Sequence, residues 1–352
     1  MLYDKLVELA SLAQLRQNLF NSDYGEATGL GDNSLAMGIP PAPTTEQFEQ
    51  VARVIDPAAQ VVSTRKLSGG ISCRMDVVEV QLANGTITPV ITRQYWEFED
   101  PAKDDRLFGE SAVLDALTAH NMLAPKVVVS KQDASKIFGR HAIVISYLDG
   151  VPNLTPEDPC DWANQLASSI AKVHSTPISP AVRSVLEPAH ASIAKWMEAQ
   201  EPSERFAKHS LGPQLWSAMR KMWPTVDTSG EYLVHGDYWP GNTVWNGETL
   251  LAIVDWEGPA LGEPMLDIGY FLSDAAYFGI DVETTFLETY ERASGNPIKD
   301  LLFWKMAAAA RAMPDVGPWT QGYAELGIRT MTAGDIRKAH ADFVRDLLNQ
   351  FG

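Results

Sequence analysis

Cysteine is scarce: Cys73 and Cys160 are the only two in 352 residues, far apart and without paired spacing. That excludes a disulfide framework and a cysteine zinc cluster, and it fits a reducing compartment. Neither carries a neighbouring feature of a nucleophile, so both read as small buried residues. Positive charge is also short, with 28 Lys and Arg against 45 Asp and Glu and a formal net charge of −17. Nucleic-acid binding needs clustered Lys and Arg to meet phosphates, and that class is excluded. An acidic surface can steer cationic small molecules, although acidity also serves solubility alone. No uninterrupted apolar run reaches the roughly eighteen residues of a membrane span. Met1 to Phe20 is apolar at helical spacing (Leu2, Leu6, Leu9, Ala13), yet Asp4, Lys5 and Glu8 interrupt it. With no basic leader and no small-residue cleavage pattern, it predicts a helix of a soluble cytoplasmic chain. No G-x-S-x-G elbow occurs and the histidines are scattered, which sets aside a nucleophilic hydrolase and a metallohydrolase.

What is present is an ordinary globular composition, 45% apolar, with no internal repeat. Residues Asn21 to Thr45 are rich in Gly, Pro, Ser and Asn and end in Pro40-Pro41-Ala42-Pro43. Thr44 or Thr45 is then placed to cap a helix running through Phe48, Val51 and Ile55. Three runs rich in β-branched and aromatic residues follow: Val61 to Leu67, Cys73 to Leu82 and Thr86 to Trp96. Gly69-Gly70 and Asn84-Gly85 separate them as turns. A helical pattern from Leu107 to His120 and two strands, Lys126 to Ser130 and His141 to Leu148, complete a small mixed sheet with one helix beside it. Beyond Gly150 the pattern is helical: Trp162 to Val173, Ala189 to Ala199, Gln214 to Trp223, Met265 to Ala276, Glu283 to Ala293, Leu301 to Met313 and Ala333 to Leu348. A strand-like block from Tyr232 to Val254 interrupts it. The expected organisation is α+β: an N-terminal helix and linker (1–45), a small β-rich N-lobe (46–149) and a larger, mainly helical C-lobe (150–352).

The chemically informative segment lies in that block. Leu233-Val-His-Gly-Asp-Tyr-Trp-Pro-Gly-Asn-Thr-Val-Trp245 sets polar residues between two apolar strands, and reads as a loop joining two paired strands. Asp237 and Asn242 have the D-x-x-x-x-N spacing of a kinase catalytic loop, with Pro240-Gly241 bending the chain back. A second strand, Leu250 to Val254, ends in Asp255-Trp256-Glu257, which puts a carboxylate at the sheet end. Asn242 and Asp255 offer the amide and carboxylate oxygens that Mg²⁺ takes alongside phosphates and water.

His235-Gly-Asp-Tyr-Trp-Pro-Gly-Asn242, Ile253-Val-Asp-Trp-Glu257 and Gly262-Glu-Pro-Met-Leu-Asp267 together resemble the aminoglycoside phosphotransferase family, across about Val61 to Leu348. The resemblance implies a bilobal protein-kinase-like fold and a small-molecule kinase using Mg²⁺ and ATP or GTP. It makes Asp237 the catalytic base, makes Asn242 and Asp255 the metal ligands, and gives Asp267 and His235 structural roles in the loop. By the same resemblance Gly69 and Gly70 belong to the nucleotide-covering loop. Arg93 on the third strand stands for the phosphate-contacting cation, and Glu110 on the next helix is its partner carboxylate. Backbone groups around Ser146 and Leu148 would meet the base edge at the hinge. Arg in place of the protein-kinase Lys keeps the charge but needs more room.

The acceptor would be an aminoglycoside, macrolide or related amino or sugar compound. Tyr238, Trp239, Trp256, Trp304, Trp319 and Tyr323 could offer ring faces to a sugar or ammonium group, or simply form core. Glu257, Glu263, Asp274 and Asp281 could face an amine. The rival reading is a catalytically silent, kinase-like module that binds nucleotide or a partner, against which the intact Asp237, Asn242 and Asp255 speak.

Overall fold

The computed structural model describes residues 40–67, 73–95, 101–326, 328 and 330–352. The expected N-terminal helix and the Gly69-Gly70 turn lie outside them. Thr44 caps helix α1 (Thr45–Ile55), accepting from the Gln47 N–H at 3.2 Å, while the Gln47 side chain accepts from the Thr44 N–H at 2.9 Å. Strands β1 (Gln60–Leu67), β2 (Cys73–Gln81) and β3 (Ile87–Tyr95) then form a meander. Gly85, at φ +83°, makes the turn between the last two.

Helix α2 (Pro101–Ala119) leads to β4 (Val127–Val129), helix α3 (Lys131–Phe138) and β5 (Ala142–Ser146). The sheet order is β1-β2-β3-β5-β4 and every pair is antiparallel, so the expected mixed sheet is corrected. Helices α1 and α3 pack on one face, through Phe48, Val51, Val78, Val80, Val90, Phe138 and Val144. The period of two turns Cys73, Ile91, Arg93, Tyr95, Ile143 and Ile145 to the other face, against α2 and the cleft.

The chain enters the C-lobe at Val151, which bridges to Trp245 by hydrogen bonds of 2.9 and 2.8 Å. Its helices are α4 (Pro159–His174), α5 (Ala191–Glu198), α6 (Gly212–Met222), α7 (Met265–Tyr277), α8 (Glu283–Ser294), α9 (Leu301–Arg311), α10 (Trp319–Glu325) and α11 (Ala333–Phe351), besides shorter turns. The apolar stripes of α4, α7, α8 and α9 bury one core around Trp162, Phe271, Phe286 and Trp304, continuous with Val113, Leu114 and Ile145 of the N-lobe. No helix among the described residues is long and apolar enough to cross a membrane.

Two small sheets carry the loops of the cleft. One orders β6 (Glu187–Pro188), β10 (Ala260–Gly262) and β7 (Tyr232–Val234), and the other pairs β8 (Thr243–Asn246) with β9 (Thr249–Ile253). The polar loop after β7 therefore joins strands of different sheets, not two paired strands as its sequence suggests. Its own turn, Pro240 to Asn242, redirects the chain between them. Cys73 is buried, but Cys160 is exposed in the first turn of α4, against the expectation that both are buried.

Candidate active site

The loop from His235 to Asn242 is held from beneath. Asp267, fully buried near the start of α7, accepts from the His235 N–H at 2.7 Å and the Gly236 N–H at 2.9 Å. His174 of α4 bridges that carboxylate at 3.0 Å to the Tyr290 hydroxyl at 2.9 Å. Gly236 has φ +80°, and a Cβ there would collide with the Gly258 carbonyl, so the loop requires glycine at this point. The His235 ring donates from Nε2 to the Val254 carbonyl at 2.9 Å and accepts the Asp237 N–H on Nδ1 at 3.3 Å. Acceptance on Nδ1 needs the neutral ring, and burial pushes His235 below the usual histidine range in spite of Asp267 and Asp237.

Asp237 is thereby presented with both carboxylate oxygens engaged. Asn242 Nδ2 donates to its Oδ2 at 3.0 Å and to its backbone carbonyl at 2.9 Å, and Arg311 of α9 forms an ion pair with Oδ1. With the Asn242 amide hydrogens directed at Asp237, its carbonyl oxygen is the end left to other ligands. The Asn242 main chain accepts from the Val254 N–H at 2.9 Å, which ties the loop to the end of β9 just before Asp255.

Asp255 has φ +66°, a left-handed backbone that few non-glycine residues adopt. Its Oδ2 is buried and accepts no hydrogen bond among the described residues. Burial first, and then the neighbouring Glu257 and Asp237 carboxylates, push its proton affinity well above the usual carboxylate range. Arg93 Nη2, 3.8 Å from Oδ1, offsets this only in part. A buried carboxylate oxygen without a partner, crowded by other carboxylates and tied through the loop to an amide carbonyl, is what a hard divalent cation fits.

Arg93 projects from β3 into the same space. Its Nη1 donates to Glu110 Oε1 of α2 at 2.6 Å, and its Nη2 pairs with Glu257. The Tyr95 hydroxyl donates to the second Glu110 oxygen. The expected cation–carboxylate pair across strand and helix is thus formed. The forked head that needed more room uses it to reach a second acid, which a lysine could not bridge in the same way. Cys73 lies beside this group, and burial pushes its thiol up to about 12, so it stays protonated.

A cleft runs between the lobes, apolar at Leu67, Met75, Ile91, Ile145, Val244 and Val254 and polar at Arg93, Glu110, Asn242 and Asp255. Ser146, Tyr147 and Leu148 line its hinge side. The Ser146 N–H donates to the Lys126 carbonyl at 2.8 Å, and its hydroxyl accepts from the Lys126 N–H at 3.0 Å. Arg93, Glu110, Ser146, Leu148, Asn242 and Asp255 are therefore brought to one cleft, with Asp237 one hydrogen bond away, while Gly69 and Gly70 fall outside the described residues.

The aromatic residues are core instead of free ring faces: Tyr238, Trp239, Trp256, Trp304, Trp319 and Tyr323 are each at most 2% exposed. Three of the four acids expected to face an amine are occupied as well, Glu257 by Arg93, Glu263 by the Gly230 N–H and Asp274 by the Tyr323 hydroxyl at 3.5 Å, while Asp281 is exposed. Sequence reasoning passed over Arg311 and Tyr95. A signal for Arg311 exists, because it is the lone charge in the apolar run from Met306 to Met313.

Residues 65–308 match the model of the phosphotransferase enzyme family. The chain belongs to this family, and so to the small-molecule kinases of protein-kinase-like fold. Among solved structures it is similar to a Ralstonia eutropha JMP134 protein assigned as an aminoglycoside phosphotransferase, at 19% identity and a TM-score of 0.59, covering 87% of this chain and 98% of the other. It is also similar to the amicoumacin kinase hAmiN, solved with AMP-PNP, Ca²⁺ and Ami, at 14% identity and a TM-score of 0.52, covering 94% of this chain and 95% of the other. A curated Arabidopsis thaliana relative, described as a probable acyl-CoA dehydrogenase, is 25% identical over 272 residues, or 64% of this chain. The chain spans about a third of that relative's length, 32%.

Proposed function

We propose that the protein transfers the γ-phosphate of ATP or GTP, with Mg²⁺, to a hydroxyl of a small molecule of the aminoglycoside, macrolide or related amino or sugar class. The observation that carries the reading is the convergence of Asp237, Asn242 and the unsatisfied Asp255 oxygen at the polar end of an apolar cleft. Residues 46–149 form the nucleotide-binding lobe and 150–352 the catalytic and acceptor-binding lobe. The base edge meets the Ser146 carbonyl and the Leu148 backbone, and Arg93, steadied by Glu110, contacts the phosphates. Asn242 and Asp255 hold Mg²⁺, which supplies charge neutralisation on the phosphate oxygens.

Asp237 accepts the proton of the acceptor hydroxyl as that oxygen bonds to the γ-phosphorus. The bond from phosphorus to the β,γ-bridging oxygen breaks, and the nucleoside diphosphate leaves. Closing the lobes around a bound acceptor disfavours transfer to water, which is left as a slow acceptor when no other is present. The acceptor class rests on the family and on neighbours named for such substrates, while the occupied acids and buried rings lend no support to a polycation pocket.

The test is phosphate transfer from Mg–ATP and Mg–GTP to a panel of aminoglycosides, macrolides, choline-like amines and sugars. Asp237→Ala abolishes transfer and leaves nucleotide binding nearly intact. Asn242→Ala or Asp255→Ala raises the Mg²⁺ concentration needed for half-maximal rate. Wild-type transfer by Asp237→Ala would remove it as the base, and an unchanged metal dependence would remove the other two from the metal shell. Mg²⁺-dependent nucleotide binding with no transfer to any panel compound would favour the silent module.

A further inference from the structure

Asp237 is gripped from two sides by groups from distant parts of the chain. Asn242, five residues on, takes Oδ2, and Arg311, at the end of α9, takes Oδ1. Arg311 is itself fixed: its side chain is 6% exposed, its guanidinium lies 4.4 Å from the Tyr270 ring centre, and its carbonyl accepts from Arg205 at 3.2 Å. A buried guanidinium with so little freedom is a rigid anchor for a carboxylate.

The position of the anchor bears on the chemistry. Asn242 is hydrogen-bonded to Asp237 and also belongs to the pair that suits a metal ion. The proton-accepting carboxylate and the metal ligands are therefore neighbours. A divalent cation attracts every carboxylate within reach, and Asp237 drawn onto it would no longer meet an acceptor hydroxyl. A cation already seated on Oδ1 opposes that movement, while each carboxylate oxygen keeps a second lone pair for the acceptor.

Resting on the kinase reading above, we propose that Arg311 is a positioning residue that anchors Asp237 through Oδ1 and keeps it facing the acceptor instead of the metal. Small displacements of a reacting group cost about 10²-fold in rate, which sets the size of the effect. The division of labour also explains two arginines at one site: Arg93 faces Glu110, Glu257 and Asp255, and Arg311 faces Asp237.

The experiment measures Mg–ATP turnover with water as acceptor, read as released inorganic phosphate, in full-length protein with thermal unfolding as a folding control. Arg311→Met lowers kcat about 10²-fold with the KM for ATP unchanged, and Arg311→Lys recovers most of the rate. Arg311→Met combined with Asp237→Asn is no slower than Asp237→Asn alone, because the anchor acts only through that carboxylate. Arg311→Gln replaces the Met variant if the latter does not fold. A wild-type kcat in the Arg311 variants beside a slow Asp237→Asn overturns the proposal and leaves the kinase reading standing. Multiplied losses in the double variant overturn it too. A wild-type rate in Asp237→Asn instead overturns the assignment of Asp237 itself.

Discussion

Asp267→Asn measures how far the catalytic loop depends on one buried carboxylate. Asp267 accepts from the His235 and Gly236 N–H groups and from His174, with no exposed surface of its own. An asparagine can place its carbonyl toward one loop N–H, but its amide nitrogen then faces the other, donor against donor. With the carbonyl in the place of Oδ2, the bonds from His235 and His174 become neutral and the one from Gly236 is lost with its donor still buried, which costs about 2–4 kcal/mol. For a chain of this size roughly 2 °C accompanies each kcal/mol, so the melting temperature falls by about 4–8 °C. The loop also loses its seat beneath Asp237, and kcat falls about 10²-fold while nucleotide affinity holds, because Asp267 does not line the cleft. Circular-dichroism melting, nucleotide titration and phosphate transfer read the three quantities. A melting temperature within about 1 °C of wild type would mean that the loop N–H groups find other acceptors, and the argument would fail.

Two further outcomes follow from burial. His340 donates from Nε2 to the Ala309 carbonyl at 2.9 Å, and burial pushes its pKa from 6.5 to about 4. The unfolded chain then binds the proton more readily, so this stability is complete above the ordinary histidine value and declines as pH falls from there toward 4. Between pH 7 and 4.5 wild type should lose about 2–3 kcal/mol more than His340→Gln in urea unfolding, and parallel curves would refute it. Iodoacetamide at pH 8 should label the exposed Cys160 and spare Cys73, whose thiol is buried and held protonated. Peptide mass mapping that finds both alkylated at similar rates would contradict that picture.

The residues of the site were legible where the chemistry depends on local spacing. Asp237 and Asn242 stand on one loop, and Asp255 closes the next strand, so a linear reading finds them. Arg311 was not legible as a partner, because 74 residues separate it from Asp237 and only the packing of α9 unites them. Strand pairing failed for a similar reason. The segments either side of the polar loop look like one hairpin, yet β7 is claimed by β10 and β8 by β9. Helix α3 went unread although its ends are marked, by Ser130 as the cap and by Gly139 at φ +67°. Only Ala134 and Phe138 of its residues are buried, too few to print a helical stripe.

The backbone of Asp255 carries a consequence for how such a chain can change over generations. Holding an aspartate at φ +66° with an unsatisfied buried oxygen works against the fold. Glycine at that position would relax the main chain and remove the crowded carboxylate in a single substitution, and asparagine would do much of the same. Selection for sturdiness alone would therefore erode this position early. On the proposed metal role, the shortest evolutionary path from a kinase to a durable binding protein with no turnover would run through residue 255.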